Sequence, residues 1–216
     1  MKIVVLGASN GVGRYAVDAA VSRGHEVTIL VRMTTSYDYP ASVRILEGTA
    51  AEPDDLDRAL AGQDAVLSCV GIRFQRPGNP WSGLVSPENL TEWVAQLLVS
   101  RMRKAGIRKL IALSAAGVGD SARGMHWLIR LLVRFSGLGL VYRDFANMEA
   151  VLRASDLEWM VVRPTRLQEH RANGRLKEVT RFGLFDKVSC RDVALFLVKS
   201  VERGGFDKTV LQLTQS

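Results

Sequence analysis

The amino-acid sequence predicts an α/β fold in which a doubly wound parallel sheet of about seven strands carries helices on both faces. Short apolar runs alternate with longer helical patterns along most of the chain. These runs are rich in Val, Ile and Leu, and they lack the polar alternation of a half-exposed sheet, which is typical of strands covered on both faces. A β-α-β alternation implies parallel pairing, with a ligand bound across the carboxyl ends of the strands where their order reverses.

The expected elements follow from local sequence in chain order. The strand candidates are residues 2–7, 26–31, 43–47, 64–70, 108–114, 158–163 and 208–213. The helix candidates are residues 11–23, 53–61, 87–105, 139–155 and 190–202, with an additional helix within residues 125–135. Pro53, followed by Asp54 and Asp55, suits a helix start because proline fits the first turn and carboxylates favour the positive end of the helix dipole.

Length and composition predict one globular domain over residues 1–216, with substrate-cleft loops near residues 71–90, 115–140 and 164–180. The chain is 47% hydrophobic and 24% charged, and it contains no internal repeat or obvious linker. No stretch approaches the roughly 20 apolar residues that cross a membrane. The first residues enter a strand without the apolar region of a signal peptide, so we expect a cytoplasmic location.

Charge and metal-ligand spacing narrow the expected partners. The formal net charge of +7 favours anionic ligands, which include dinucleotides, nucleic acids and anionic membrane surfaces. The basic residues are scattered and no nucleic-acid motif accompanies them, so we interpret them as solvated helix faces and expect no nucleic-acid partner. The cysteines and histidines have no metal-ligand spacing, and we expect no metal site. The expected partner is a small-molecule substrate, for which an anionic group is one option; the oligomeric state stays open.

The strongest chemical signal is a glycine-rich loop between the first predicted strand and helix, Gly7-Ala8-Ser9-Asn10-Gly11-Val12-Gly13. Glycines permit a tight turn and let the backbone approach a pyrophosphate, while the helix N-terminus offers free N–H groups. The loop follows an apolar strand and opens an amphipathic helix, which is the context expected of a dinucleotide site. We therefore predict a Rossmann-type domain that binds a nicotinamide dinucleotide; the alternative is a tight turn without a ligand.

Two arginines bear on the choice between NAD and NADP. An NAD-preferring site places Asp or Glu at the end of the second strand to bind the ribose 2′-hydroxyl, whereas Arg accommodates a 2′-phosphate. Arg32 occupies that position, and Arg14 follows the last glycine of the loop. We favour NADP over NAD, the alternative being that Arg32 simply faces solvent.

Short motifs follow the glycine loop in a specific order along nearly the whole chain. They are Gly24-His25-Glu26-Val27-Thr28-Ile29-Leu30-Val31-Arg32, Gly62-Gln63-Asp64-Ala65-Val66, Ala105-Gly106-Ile107-Arg108-Lys109-Leu110, Leu113-Ser114-Ala115, Val151-Leu152-Arg153-Ala154-Ser155-Asp156-Leu157-Glu158-Trp159, Val162-Arg163-Pro164 and Arg191-Asp192-Val193-Ala194. Together with the glycine loop, this order resembles the atypical short-chain dehydrogenase/reductase superfamily, and within it the NAD(P)H-binding proteins related to biliverdin-IXβ/flavin reductase. Asn10 stands where these relatives often carry another glycine, while Gly11 gives the spacing of more typical members.

The resemblance implies further contacts with the cofactor. They are expected in the turn Gly48-Thr49-Ala50, where relatives often have Asp at the position of Thr49, and in the loop Cys69-Val70-Gly71 near the adenine ribose. Ser114 and Ala115 should approach the nicotinamide, and Pro164 and Thr165 should close over it.

The same resemblance implies the candidates for catalysis. Typical members use a Tyr-x-x-x-Lys pair on the helix after the fifth strand, together with a serine that holds the substrate carbonyl. Ser114 fits the serine position and Tyr142 lies at about the place of the tyrosine, but Ala146 stands where the lysine is expected. The flavin-reductase-like branch depends less on the pair, because it mainly presents reduced nicotinamide to an easily reduced acceptor. The alternative for Tyr142 is a half-buried residue at a helix start.

Four more side chains, besides the tyrosine, are candidates for lining a substrate cleft. Trp81 lies in an irregular insertion after the fourth strand, and His126 lies on the additional helix. Arg166 and His170 lie in the loop after the sixth strand, which covers the substrate in related folds and here would bind an anionic one. The alternative for each is a surface or packing role.

Three functions remain open from the sequence. The first is an NAD(P)H-dependent oxidoreductase that reduces a small conjugated acceptor such as a flavin or quinone. The second is a non-catalytic NADP-binding redox sensor or assembly factor, which the missing lysine favours. The third is a nucleotide-sugar epimerase-like enzyme, which ranks last because such enzymes normally need the tyrosine–lysine pair and a longer C-terminal substrate region.

Overall fold

The strands of the molecule form one large sheet and one small one. The computed structural model describes residues 1–32, 38–169, 171–203, 205 and 208–215. In chain order the strands are β1 (Lys2–Leu6), β2 (Glu26–Val31), β3 (Arg44–Glu47), β4 (Ala65–Ser68), β5 (Lys109–Leu113), β6 (Glu158–Pro164), β7 (Arg166–Gln168), β8 (Leu176–Glu178), β9 (Lys187–Ser189) and β10 (Thr209–Gln215). The large sheet has the order β3-β2-β1-β4-β5-β6-β10-β8, and β7 pairs with β9 separately. In the large sheet every pair is parallel except β10 with β8.

Helices cover both faces of the large sheet. They are α1 (Gly11–Ser22), α2 (Pro53–Leu60), α3 (Leu90–Ala105), α4 (Trp127–Arg134), α5 (Leu138–Arg153) and α6 (Cys190–Arg203), with a 3-10 helix at Gly119–Gly124. Buried residues of α1 and α6 belong to one core cluster, and those of α2, α3 and α5 belong to another on the opposite face. Within the described ranges, none of the helices combines the length and apolarity needed to cross a bilayer.

Strand β1 illustrates why the sequence produces a two-faced core. Ile3 and Val5 pack into one cluster, whereas Val4 and Leu6 pack into the other, and all four are fully buried. Successive strand side chains point to opposite faces, so a strand covered on both sides needs apolar residues at every position. Burying side chains of this kind contributes about 1.5–3 kcal/mol each.

The predicted fold class, all seven predicted strands and all six predicted helices are confirmed, while the large sheet has eight strands instead of about seven. The sequence analysis missed β7, β8 and β9, each of which has three residues. Segments this short contain too few residues to show a hydrophobic period. Strand β8 lies at the sheet edge and is largely exposed, so it needs little apolar sequence.

A buried ion pair joins α5 to the carboxyl ends of two central strands. Arg163 of β6 donates from Nε and Nη2 to the Glu149 carboxylate of α5, at 2.8 Å and 2.5 Å, and the two residues are 2% and 3% exposed. Ser114, which follows β5, donates its hydroxyl to Glu149 at 2.8 Å. Arg163 also donates to Asp120 at 2.7 Å. A bidentate pair with further hydrogen bonds is the geometry in which buried charges compensate their desolvation.

We expect Glu149→Ala to lower the free energy of unfolding by about 3–5 kcal/mol, because it leaves the Arg163 cation buried without its main partner. Chemical denaturation followed by circular dichroism measures the change. The matched control is Glu158→Ala, which removes an exposed carboxylate that accepts from Arg108 at 3.0 Å and should cost no more than about 1 kcal/mol. Equal losses in the two variants would contradict the role assigned to the buried pair.

Candidate dinucleotide-binding site

A cleft of ≈ 520 Å³ opens at the carboxyl ends of the central strands. Strand β1 lies between β2 and β4, so the first part of the chain builds the sheet in one direction and the second part builds it in the other. Ligands of open α/β sheets bind at such a reversal of strand order. The lining residues are Gly7, Ser9, Asn10, Leu30, Val31, Arg32, Gly48, Thr49, Ala50, Ala51, Cys69, Val70, Gly71, Ile72, Arg73, Val85, Ser86, Pro87, Leu90 and Val94.

The glycine loop allows three segments of backbone to meet at one wall of the cleft. A Cβ atom on Gly7 would lie 2.4 Å from the Cys69 carbonyl oxygen, and one on Gly13 would lie 2.2 Å from the Gly7 carbonyl oxygen. Any larger residue would push α1 and β4 away from β1. Gly7 and Gly11 also have positive φ angles, of 75° and 54°, which glycine adopts without steric cost.

The N-terminus of α1 is suited to an anion. The first turn of α1 contains no acidic residue, and the side chain of its N-cap, Asn10, makes no capping hydrogen bond. The N–H groups of the first turn and the positive end of the helix dipole therefore face the glycine loop without a competing carboxylate. Together with the cradle made by Gly7 and Gly13, this arrangement fits a pyrophosphate.

The turn after β3 forms a fixed, partly apolar end of the cleft. Thr49 donates its N–H to Asp55 at 2.9 Å, and that bond, followed by the Arg58 ion pair, lowers the pKa of the Asp55 carboxyl. Trp93 of α3 donates its indole N–H to the Ala51 carbonyl oxygen at 2.9 Å. Four apolar side chains form a wall of the same cleft, namely Leu30, Val70, Leu90 and Val94. A fixed turn and an apolar wall together suit a planar aromatic ring such as adenine.

The three arginines nearest this region are arranged differently from one another. Arg32 is exposed and lines the cleft. Arg73 also lines it, and the sequence analysis missed this residue, whose only signal was its position two residues after Gly71. Arg14 lies outside the cleft lining: it donates to the Tyr15 hydroxyl at 2.6 Å, and its guanidinium stacks 4.5 Å from the centre of that ring. The contact of Arg14 with an adenosine phosphate stays a prediction.

The residues after β5 and β6 are buried and already hydrogen-bonded. Ser114 is 3% exposed and its hydroxyl donates to Glu149, as described above. Thr165 is 4% exposed and its hydroxyl donates to Thr214 at 3.0 Å. Ala115 and Pro164 flank these two residues and, like them, fall outside the described cleft lining. The position assigned to the nicotinamide beside them stays a prediction.

Tyr142 lies near the end of β5 but does not meet Ser114. Its hydroxyl donates to the Ala116 carbonyl oxygen at 3.1 Å, and burial raises the pKa of the phenol above its ordinary value. The ring packs with Met125 and Phe182. A tyrosine activated as a general acid near neutral pH has a lowered pKa, so this environment changes the pKa in the opposite direction.

The remaining substrate-cleft candidates are dispersed. Trp81 is exposed beside a second depression, between residues 80–88 and the start of α5. His126 caps α4, with its Nδ1 accepting the N–H of Leu128 at 3.3 Å. Arg166 is exposed on β7, and His170 falls outside the described residues. The described part of the structure does not bring these side chains together in one pocket.

Cys69 lines the cleft but is not suited to nucleophilic chemistry. Desolvation raises the pKa of its thiol to about 12, so the unreactive neutral form prevails at physiological pH. The described residues contain no group of three or more His, Cys, Asp or Glu that could hold a metal ion.

A family model described as NAD(P)H-binding matches residues 7–203. The chain belongs to this NAD(P)H-binding family. The prediction of an NAD(P)H-binding protein of the atypical short-chain dehydrogenase/reductase type is thereby confirmed, and with it the oxidoreductase class of the family.

Individual relatives of this NAD(P)H-binding protein include reductases. It is 28% identical over 192 residues to oxidoreductase stcQ of Emericella nidulans. The aligned region covers 79% of this chain and 66% of that protein. The chain thus spans just under two thirds of this relative's length. Its fold is also similar to the anaerobilin reductase ChuY of Escherichia coli O157:H7, with a TM-score of 0.78 at 18% identity over 100% of this chain and 97% of that one. A Veillonella parvula short-chain dehydrogenase/reductase in complex with NADP has a TM-score of 0.76 at 16% identity. The match covers 98% of this chain and 93% of that one.

Gly11→Ala should weaken NADPH binding by about tenfold or more, because the added methyl group stands where backbone must approach a pyrophosphate. The matched control is Gly24→Ala at the other end of α1. Both glycines have a positive φ, and a Cβ atom added to either would meet no other atom. The two variants should therefore lose similar free energies of unfolding, of about 1–2 kcal/mol. Titration of NADPH fluorescence, with thermal melts alongside, separates the two effects. Equal NADPH affinity in the two variants would show that the loop does not bind the dinucleotide.

Proposed function

We propose that this chain is an NADPH-dependent reductase that delivers hydride to a small conjugated acceptor, such as a flavin or a quinone. The observation that carries the proposal is a cleft walled by the glycine loop, combined with two candidate catalytic hydroxyls that are already hydrogen-bonded within the protein. The Ser114 hydroxyl donates a hydrogen bond to Glu149, and the Tyr142 hydroxyl donates one to the Ala116 carbonyl oxygen. The family and its reductase relatives support hydride chemistry.

A conjugated acceptor fits such a site for an electronic reason. A ketone concentrates the developing negative charge on one oxygen, which calls for a protein acid, whereas a flavin or quinone spreads the charge over a ring system. Two electrons and one proton reach the acceptor as hydride, and its second proton can come from water. Holding the two rings together then supplies much of the rate.

The residues that would hold NADPH divide the cleft into segments. The N–H groups at the start of α1 would bind the pyrophosphate beside Gly7 and Gly13. The turn held by Asp55 and the apolar wall would enclose the adenine. Loop residues from Gly71 to Arg73 would run along the ribose and nicotinamide half, excluding water on one side. When bound, NADPH supplies the hydride through its nicotinamide ring.

The preference for NADP rests on Arg32. It is an exposed cation at the carboxyl end of β2, where a 2′-phosphate would attach to the adenosine ribose. Among the described residues the cleft lining contains no Asp or Glu, so no carboxylate there accepts a hydrogen bond from a ribose hydroxyl or repels a phosphate.

Arg32→Ala should weaken NADPH binding by about 10–100-fold, the range expected for a lost hydrogen bond to a charged group, and leave NADH binding nearly unchanged. Fluorescence titration with both nucleotides measures the ratio of their dissociation constants. The control is Arg44→Ala. Arg44 is an exposed arginine at the start of β3, the strand beside β2, and it lies at the opposite end of the sheet from Arg32. A parallel loss for both nucleotides, or an equal loss in the control, would argue against 2′-phosphate recognition by Arg32.

Tyr142→Phe should keep the rate of NADPH oxidation with flavin or quinone acceptors within about threefold, because removing a working general acid would cost about 10²–10⁴-fold. Stopped-flow absorbance of NADPH gives the rate, and the raised pKa of Tyr142 predicts no loss of activity between neutral and mildly alkaline pH. A hundredfold fall in the variant would identify Tyr142 as the acid and overturn this part of the proposal.

The second candidate function is a non-catalytic NADP-binding sensor or assembly factor. The same engaged hydroxyls of Ser114 and Tyr142 favour it, since a protein that only binds the dinucleotide needs no free acid. NADPH binding without turnover of flavins, quinones or other conjugated acceptors would select it. The epimerase-like alternative ranks lower, because Ala146 stands at the lysine position.

A further inference from the structure

Helix α4 exposes an apolar stripe on the side that faces away from the core. At about 100° per residue, Trp127, Leu128, Leu131 and Phe135 fall within one quarter to one third of the helix circumference, and all four are exposed, with Trp127 at 61% and Phe135 at 67%. The opposite stripe, Ile129 and Val133, packs against the core cluster around Met125 and Phe182. The helix therefore has apolar residues on both sides, and only one side is buried.

Two neighbouring segments extend the exposed stripe. The turn after Phe182 is tied to the start of α4, because His126 donates its N–H to the Phe182 carbonyl oxygen at 3.2 Å, and this turn exposes Leu184 and Phe185, the latter at 89%. At the other end of α4, Trp81 and Phe135 line one depression. We call this set the α4 surface; it comprises Trp81, Trp127, Leu128, Leu131, Phe135, Leu184 and Phe185.

The segment that contains α4 carries charge of one sign, while Glu88 and Asp186 lie at the edges of the α4 surface, beside Trp81 and Phe185. Residues 121–143 contain four arginines and no Asp or Glu. Arg130 and Arg134 are exposed and lie along one edge of the apolar stripe by helical spacing, and the Arg134 guanidinium is 5.9 Å from the centre of the Phe135 ring. Long arginine side chains beside an apolar stripe can reach the headgroup level while the stripe enters the acyl boundary.

We propose that the α4 surface binds an anionic phospholipid bilayer, with α4 lying in the interface. Exposed tryptophan and phenylalanine rings suit the boundary between headgroups and acyl chains, and arginines near an anionic surface each add about 1 kcal/mol in free energy, or about fivefold in affinity. A second copy of the chain is a poor match, since a two-fold contact would place the same arginines against each other. The proposal does not depend on hydride transfer.

The test uses the full chain with vesicles of phosphatidylcholine alone or mixed with phosphatidylglycerol. We expect co-sedimentation with the mixed vesicles, little with the neutral ones, and loss of binding as ionic strength rises from about 0.1 M to about 1 M. The tryptophan fluorescence should shift to the blue on binding, because Trp81 and Trp127 both lie on the α4 surface, and Trp127→Phe should reduce that shift.

Matched variants separate the charge from the apolar stripe. Arg130→Gln with Arg134→Gln should weaken binding to the mixed vesicles roughly 30-fold, and Leu131→Ser with Phe135→Ser by at least about tenfold. The control for the stripe is Ile45→Ser, at an exposed apolar residue of β3, which should change nothing. All the substituted side chains are exposed, and circular dichroism checks that the variants fold.

Three outcomes would overturn the proposal. One is no binding to the mixed vesicles, and another is binding that both double variants leave intact. The third is a dimer of the unsubstituted chain by light scattering that the Leu131→Ser, Phe135→Ser variant converts to a monomer, without any vesicle binding, because it would assign the surface to a second copy.

Discussion

The cleft depends on a close approach of backbone to backbone that only glycine permits. Gly7 sits against the Cys69 carbonyl group and Gly13 sits against Gly7 itself, so β1, the start of α1 and the end of β4 converge without side chains between them. The N-terminus of α1 is thereby brought to the point where the strand order reverses. The turn at Thr49 and the loop at Gly71 line the same cleft as this contact.

The Glu149–Arg163 pair organises the other half of the strand ends. It joins α5 to β6, the Ser114 hydroxyl donates a further hydrogen bond to the carboxylate, and Arg153 approaches the carboxylate at 3.6 Å. A buried carboxylate needs such donors, because leaving it unsatisfied is costly. The serine that the family resemblance marks as catalytic therefore already has a structural task.

Much of the fold could be predicted from the sequence, because its signals are local. Runs rich in Val, Ile and Leu predicted the seven longer strands, and the glycine spacing located the cleft wall. Side-chain orientations and contacts between distant segments gave no local signal. Arg14 follows the loop like a phosphate ligand, yet its guanidinium turns to Tyr15, whose ring is also stacked by Arg191 at 4.5 Å. Arg73 reaches the cleft only because the loop after β4 folds back, with Val85 donating its N–H to the Arg73 carbonyl oxygen at 2.9 Å.

Tyr142 connects the α4 surface to the strand ends. Its ring belongs to the cluster on which Ile129 and Val133 of α4 pack, and its hydroxyl bonds to Ala116, just beyond β5. Under the two proposals together, the face that meets the bilayer and the end of β5 are separated by this one small cluster. An acceptor dissolved in the bilayer would then reach the protein on the side where the nicotinamide is expected. This geometry favours an apolar, quinone-like acceptor over a charged one from solution.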